Sequence, residues 1–83
     1  MVTWTIWEVK EVRIQEQLGM RIKYLRKQKK WSQEDLALEA GINTKYLSDL
    51  ERGMRNPTLK ILEKISIALN ISISELTKGL ETF

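Results

Sequence analysis

The chain has 83 residues, 42% of them apolar and 30% charged, and a formal net charge of +3. It contains neither cysteine nor histidine, which excludes disulfides, thiolate nucleophiles, zinc sites built on those side chains and imidazole general bases. What is left is a single small domain that buries about 60–65% of its unfolded surface, enough for one modest core and too little for a deep substrate cavity with a lid.

A metal would have to be held by carboxylates alone, and neither a metal nor a cofactor is expected. No apolar run approaches the ~20 residues of a membrane span. The start lacks the basic region and apolar stretch of a secretory signal, so the expected location is cytoplasmic. Charge is unevenly placed. Residues 18–31 carry Arg21, Lys23, Arg26, Lys27, Lys29 and Lys30 with no acid, whereas residues 32–42 carry Glu34, Asp35 and Glu39 with no base. Such polarity suggests a face built to meet an anion.

The first 17 residues leave two readings open. Val2, Trp4 and Ile6 alternate as a strand would, while Trp4, Trp7 and Glu11, or Val9, Val12 and Arg13, also fit a helix. They are treated as an N-terminal extension, 1–17, ahead of a domain spanning 18–83. Over 18–30, Leu18, Ile22 and Leu25 recur at helical spacing among basic residues and predict an amphipathic helix. Ser32 opens a second helix: its hydroxyl can accept from a free backbone N–H of the first turn, and Gln33, Glu34 and Asp35 suit the positive end of the helix dipole. Gly41 closes that helix in a left-handed conformation.

Asn43 caps a third helix running to about Arg52, where Gly53 stops it. A loop from Gly53 to Pro57 follows, and Thr58 caps a fourth helix carrying Leu59, Leu62, Ile65, Ala68 and Leu69. A fifth begins near Ser72 or Ser74 and carries Leu76 and Leu80. The expectation is an all-α, five-helix domain without repeats or low-complexity tracts.

The informative stretch is Gln33 to Arg52, QEDLALEAGINTKYLSDLER. Two short helices meeting steeply through a tight turn need a small residue where they cross, and Ala37 lies one turn before Gly41. Leu36, Ala40, Ile42, Leu47 and Leu50 are then the inward positions. Asn43, Thr44, Lys45, Ser48 and Asp49 are left facing outward from the third helix. An exposed helix start with short polar groups and a lysine suits the DNA major groove, whose base edges offer donors and acceptors.

On these residues the chain resembles the Cro/C1-type (XRE-like) helix-turn-helix family of bacterial and phage transcriptional regulators. The likeness covers residues 18–78, through LGMRIKYLRKQKKW, SQEDLALEAGI, KYLSDLERGMRNPTL and LEKISIALNISISEL in order and without gaps. It implies a compact, lambda-repressor-like fold. It also implies that Gln33 binds phosphate and orients the recognition helix, that Thr44, Lys45 and Ser48 face base edges with Asn43 and Asp49 at the margin, and that Arg52, Arg55 and Asn56 follow the DNA backbone. The family's buried salt bridge would pair Arg26 with Glu51, making Arg26 structural. Small restriction-modification controller proteins are similar through Tyr46, Leu47, Ser48, Glu51, Arg52, Arg55 and Asn56; phage repressors, sporulation-type regulators and antitoxins share much of the scaffold.

Plainer readings stand beside these. Lys45 could meet phosphate instead of a base, Gln33 could merely fill a first turn, and the basic block could be a solvated face. Tyr24, Trp31 and Tyr46 read as packing or rim residues instead of stacking platforms.

One such module reads few base pairs, so specificity calls for two copies on a two-fold site about one helical turn apart. The expected assembly is a homodimer on a palindromic double-stranded DNA operator, joined through Ile71, Ile73, Leu76, Leu80 and Phe83 with help from the N-terminal tryptophans. At this length no small-molecule ligand is expected. The alternatives are an antitoxin or protein-interaction module with DNA binding secondary, and membrane-surface binding by residues 18–31. An enzyme would need a serine–lysine pair or carboxylate dyad, and no spacing proposes one.

Overall fold

The computed structural model describes the backbone of residues 6–80 and the side chains of residues 14–80. Five helices follow in order: α1 (Ile6–Gln28), α2 (Gln33–Ala40), α3 (Thr44–Glu51), α4 (Leu59–Leu69) and α5 (Ile73–Leu76). There is no strand among the described residues.

Local chemistry sets most boundaries. Ser32 and Asp35 form a reciprocal capping box: the Asp35 N–H donates to Ser32 Oγ at 3.0 Å, and the Ser32 N–H donates to Asp35 Oδ2 at 2.8 Å. Two otherwise orphaned donors are thus satisfied at the start of α2. Asn43 caps α3 by accepting from the Tyr46 N–H, Thr58 caps α4 through Ile61, and Ser72 caps α5 through Glu75. Between α2 and α3, Gly41 takes φ 69°, where a side chain would be strained.

Two boundaries differ from the sequence reading. The first helix begins at Ile6, not near Leu18, and is 23 residues long. Residues 6–17 contain no glycine or proline and are rich in Glu, Lys, Arg and Gln, so a helix nucleated by the packed half extends backward at little cost. That resolves the strand-or-helix question from Ile6 onward, and position 17/18 falls inside α1. The second difference is at the other end, where α5 stops at Leu76 and leaves Leu80 beyond the helix. There the Thr77 hydroxyl donates back to the Ile73 carbonyl at 2.9 Å, a side-chain bond that competes with helical continuation.

The core joins Leu18 and Ile22 of α1, Leu36, Ala37 and Ala40 of α2, Leu47 and Leu50 of α3, Ile65 and Leu69 of α4, and Leu76 of α5. Each fully buried Leu or Ile contributes about 1.5–3 kcal/mol. Ile42, Leu62 and Ala68 are half-buried against it. The helix α1 packs on α3, and α2 packs on both α3 and α4. At Gly19 the helices α1 and α3 come so close that a Cβ would lie 2.5 Å from the Glu51 carbonyl oxygen and 2.6 Å from that of Leu50. Nothing in the sequence pattern marked this glycine.

Candidate nucleic-acid interface

The side chain that sets the pose of α3 comes from α1. Arg26 is buried, and its guanidinium meets Glu51 with two parallel bonds, Nε to Oε2 at 2.7 Å and Nη2 to Oε1 at 2.9 Å. Its third nitrogen, Nη1, donates to the Trp31 carbonyl at 2.8 Å, in the turn that leads to α2. The bond to Glu51 holds the Arg26 guanidinium above its ordinary pKa despite the opposing effect of burial. Gln33, in the first turn of α2, adds a third donor to the same carboxylate, Nε2 to Oε1 at 3.1 Å. One buried carboxylate therefore ties together α1, α2 and α3. Bidentate charge-assisted pairs fix geometry as well as energy.

With α3 held this way, the remaining sequence-predicted residues distribute as follows. Asn43 and Lys45 are exposed at its start, Thr44 and Ser48 are half-buried, and Arg52, Arg55 and Asn56 are exposed at its end and in the following loop. Gln33 is half-buried on the adjoining end of α2. Asp49 is a correction to the outward set. It is buried, 7% exposed, because cations from its own helix and from the next loop fold over it. Lys45 Nζ lies 3.0 Å from Oδ1 and 3.3 Å from Oδ2, Arg55 Nη2 3.4 Å from Oδ2, and Arg52 Nη1 3.9 Å from Oδ1. The hydrogen bond from Lys45, with further help from its charge and from Arg55, lowers the carboxyl pKa against the opposing effect of burial. The i,i+4 spacing of Lys45 and Asp49 was visible in the sequence as an ion-pair signal; the approach of Arg55 was not.

Tyr46 packs partly against the core and carries the Arg55 guanidinium over its ring, 5.1 Å from the centroid. The basic block of residues 18–31 does not act as one face. Arg26 is internal and Arg21 is turned to Glu75 at 2.9 Å, joining α1 to α5, while Lys23, Lys27, Lys29 and Lys30 remain exposed. Trp31 is half-buried against the core with Lys29 over its ring.

The set expected to join two copies needs a second correction. Leu76 is fully buried inside its own chain and has no surface to offer a partner, since α5 packs against α4 and Leu76 joins the core. Ile73 and Leu80 are half-buried; Phe83, Trp4 and the Trp7 side chain lie outside the described residues. Among the described residues no helix is long and apolar enough to cross a membrane, and no cluster of acidic side chains could hold a metal ion.

Comparison with known proteins agrees with this geometry. The helix-turn-helix family model matches residues 22–76. The HTH-type transcriptional regulator SinR of Bacillus subtilis (strain 168) is 43% identical over 60 residues, covering 71% of this chain and 54% of that protein, so the chain spans about half the length of that relative. The crystal structure of the restriction-modification controller protein C.AhdI from Aeromonas hydrophila is 37% identical, with a TM-score of 0.72, covering 82% of this chain and 97% of that one. A crystal structure of SinR in complex with DNA matches with a TM-score of 0.68 at 43% identity, over 71% of this chain and 95% of that one. Capped helices, a glycine turn, an α3 held by a buried arginine and these likenesses together establish that the chain belongs to the helix-turn-helix family of Cro/C1-type regulators.

Proposed function

We propose that the protein is a sequence-specific transcriptional regulator of the cytoplasm that binds a palindromic double-stranded DNA operator as a homodimer, with α3 in the major groove. The observation that carries this reading is the start of α3, which presents Asn43, Thr44, Lys45 and Ser48 from a helix locked by Arg26, Glu51 and Gln33. Thr44, Lys45 and Ser48 read base edges: lysine donates to guanine O6 and N7, and threonine adds a methyl for thymine. Gln33, Arg52, Arg55 and Asn56 meet phosphates, which gives affinity without sequence information. The two copies join through the C-terminal end, with Ile73, Leu80 and Phe83 contributing. The subtype we favour is a small controller protein like C.AhdI, with a phage-type repressor as the neighbouring option. The chemistry is binding without catalysis or cofactor.

The test is selection of random duplex DNA against purified protein near ~150 mM salt, a condition that suppresses purely electrostatic binding. An enriched inverted repeat with fixed half-site spacing supports both sequence reading and a two-fold dimer. Enrichment of nothing, with binding lost as salt rises, removes the operator reading. Lys45→Ala is then expected to relax preference at one position, losing about 1–3 kcal/mol, whereas Arg55→Ala weakens all sequences alike and lowers the salt slope by about one.

A further inference from the structure

A surface meant for a polyanion gains nothing obvious from a carboxylate, yet Asp49 lies under the cations of the recognition segment. Its side chain is 10% exposed, whereas those of Lys45, Arg52 and Arg55 are 76%, 64% and 48% exposed. The arrangement is built from two directions. Lys45 reaches it from one turn earlier on α3, and Arg55 returns from the loop after the helix, with its guanidinium over the Tyr46 ring. A nearly covered charge is tolerated only when paired, so in the free protein these cations already have an anion.

The consequence differs for the two kinds of DNA contact. A phosphate met on arbitrary DNA has to compete with Asp49 for Lys45 and Arg55. A correctly placed base acceptor does not. The ammonium group has three donors, and the two oxygens of Asp49 take at most two of them, so at least one remains for a base. Asp49 therefore penalises contacts that carry no sequence information and aims the donor that does.

We propose that Asp49 is a specificity-determining positioning residue, an internal counter-ion that draws Lys45 and Arg55 away from the phosphates of arbitrary DNA while orienting Lys45 for the base it reads in the operator. This rests on the reading of Lys45 and Arg55 as DNA contacts.

The experiment uses the full chain, with fluorescence anisotropy on the selected operator and on a scrambled duplex of equal length, across about 100–300 mM salt. Asp49→Asn keeps the shape and removes the charge. It is expected to bind scrambled DNA about threefold or more tightly, with a salt slope steeper by about 0.9 for each phosphate gained, and to lower the operator-to-scrambled ratio about tenfold, one base-reading contact's worth. A merely structural role would weaken both duplexes together, so that outcome overturns the proposal, as does an unchanged slope and ratio. Asp49→Ser takes the same test should the asparagine variant fail to fold. Lys45→Gln and Arg55→Gln separate the two levels. If neither alters binding of either duplex, the DNA reading of these cations falls and the role of Asp49 with it. If both weaken binding while the Asp49 variants leave slope and ratio unchanged, the proposal alone falls.

Discussion

Breaking the link between α1 and α3 should be the most damaging single change available outside the apolar core. In Arg26→Met, Glu51 keeps a side chain only 2% exposed but loses two of its three hydrogen-bond donors, leaving Gln33 alone. In Glu51→Leu, the Arg26 guanidinium keeps only the Trp31 carbonyl. Removing one member of a buried pair leaves an uncompensated charge and costs about 3–5 kcal/mol. For a domain whose whole stability is about 5–15 kcal/mol, that is a large fraction, and each kcal/mol lowers Tm by about 4–8 °C.

The Arg26→Met/Glu51→Leu double variant buries two apolar groups of similar size and leaves no unpaired charge. It is expected to be more stable than either single variant, with an interaction energy of about 2–3 kcal/mol. Urea denaturation followed by circular dichroism, at one protein concentration because assembly shifts apparent stability, measures all four corners of the cycle. Single variants that lose less than about 1 kcal/mol, or a double variant that loses the sum of the two, would refute the reasoning. The first result would mean that water reaches the pair; the second, that the two side chains act independently.

Gly19→Ala should lose about 2–3 kcal/mol in the same assay, because the new methyl meets two backbone carbonyls that cannot move without separating α1 from α3. Gly41→Ala, in open space at φ 69°, should lose only about 1–2 kcal/mol through backbone strain; the reverse order would contradict the packing described. The carboxyl of Asp49 should titrate below its ordinary value of 3.8 when followed by carbonyl-detected NMR. Since its folded pKa is depressed, its contribution to stability is present above the ordinary value and is lost as pH falls through the depressed one. Lys45→Ala should move that midpoint upward, and a wild-type midpoint at or above the ordinary value would count against the ion-pair geometry.

The elements legible in the sequence were those specified by contacts within one turn. Ser32 with Asp35, Asn43 with Tyr46 and Thr58 with Ile61 each join residues three apart, so α2, α3 and α4 could be placed to within a residue or so. The inward faces of α2 and α3 followed from the same short-range periodicity, and the motif order pointed to the family. Chain spacing says nothing, however, about which outward position a distant segment will cover. Asp49 is polar and reads as a groove-facing residue until Arg55 returns from the loop and Lys45 folds down over it. Leu76 reads as free apolar surface on a short last helix until α5 docks and the core takes it. Gly19 looks like a weak point in a helix, and only the approach of the Leu50 and Glu51 carbonyls, more than thirty residues further along the chain, makes its missing side chain a requirement. Capping and periodicity are local free energies, set before the chain collapses; burial belongs to whichever surfaces meet afterwards, and those meetings exist only in the tertiary structure.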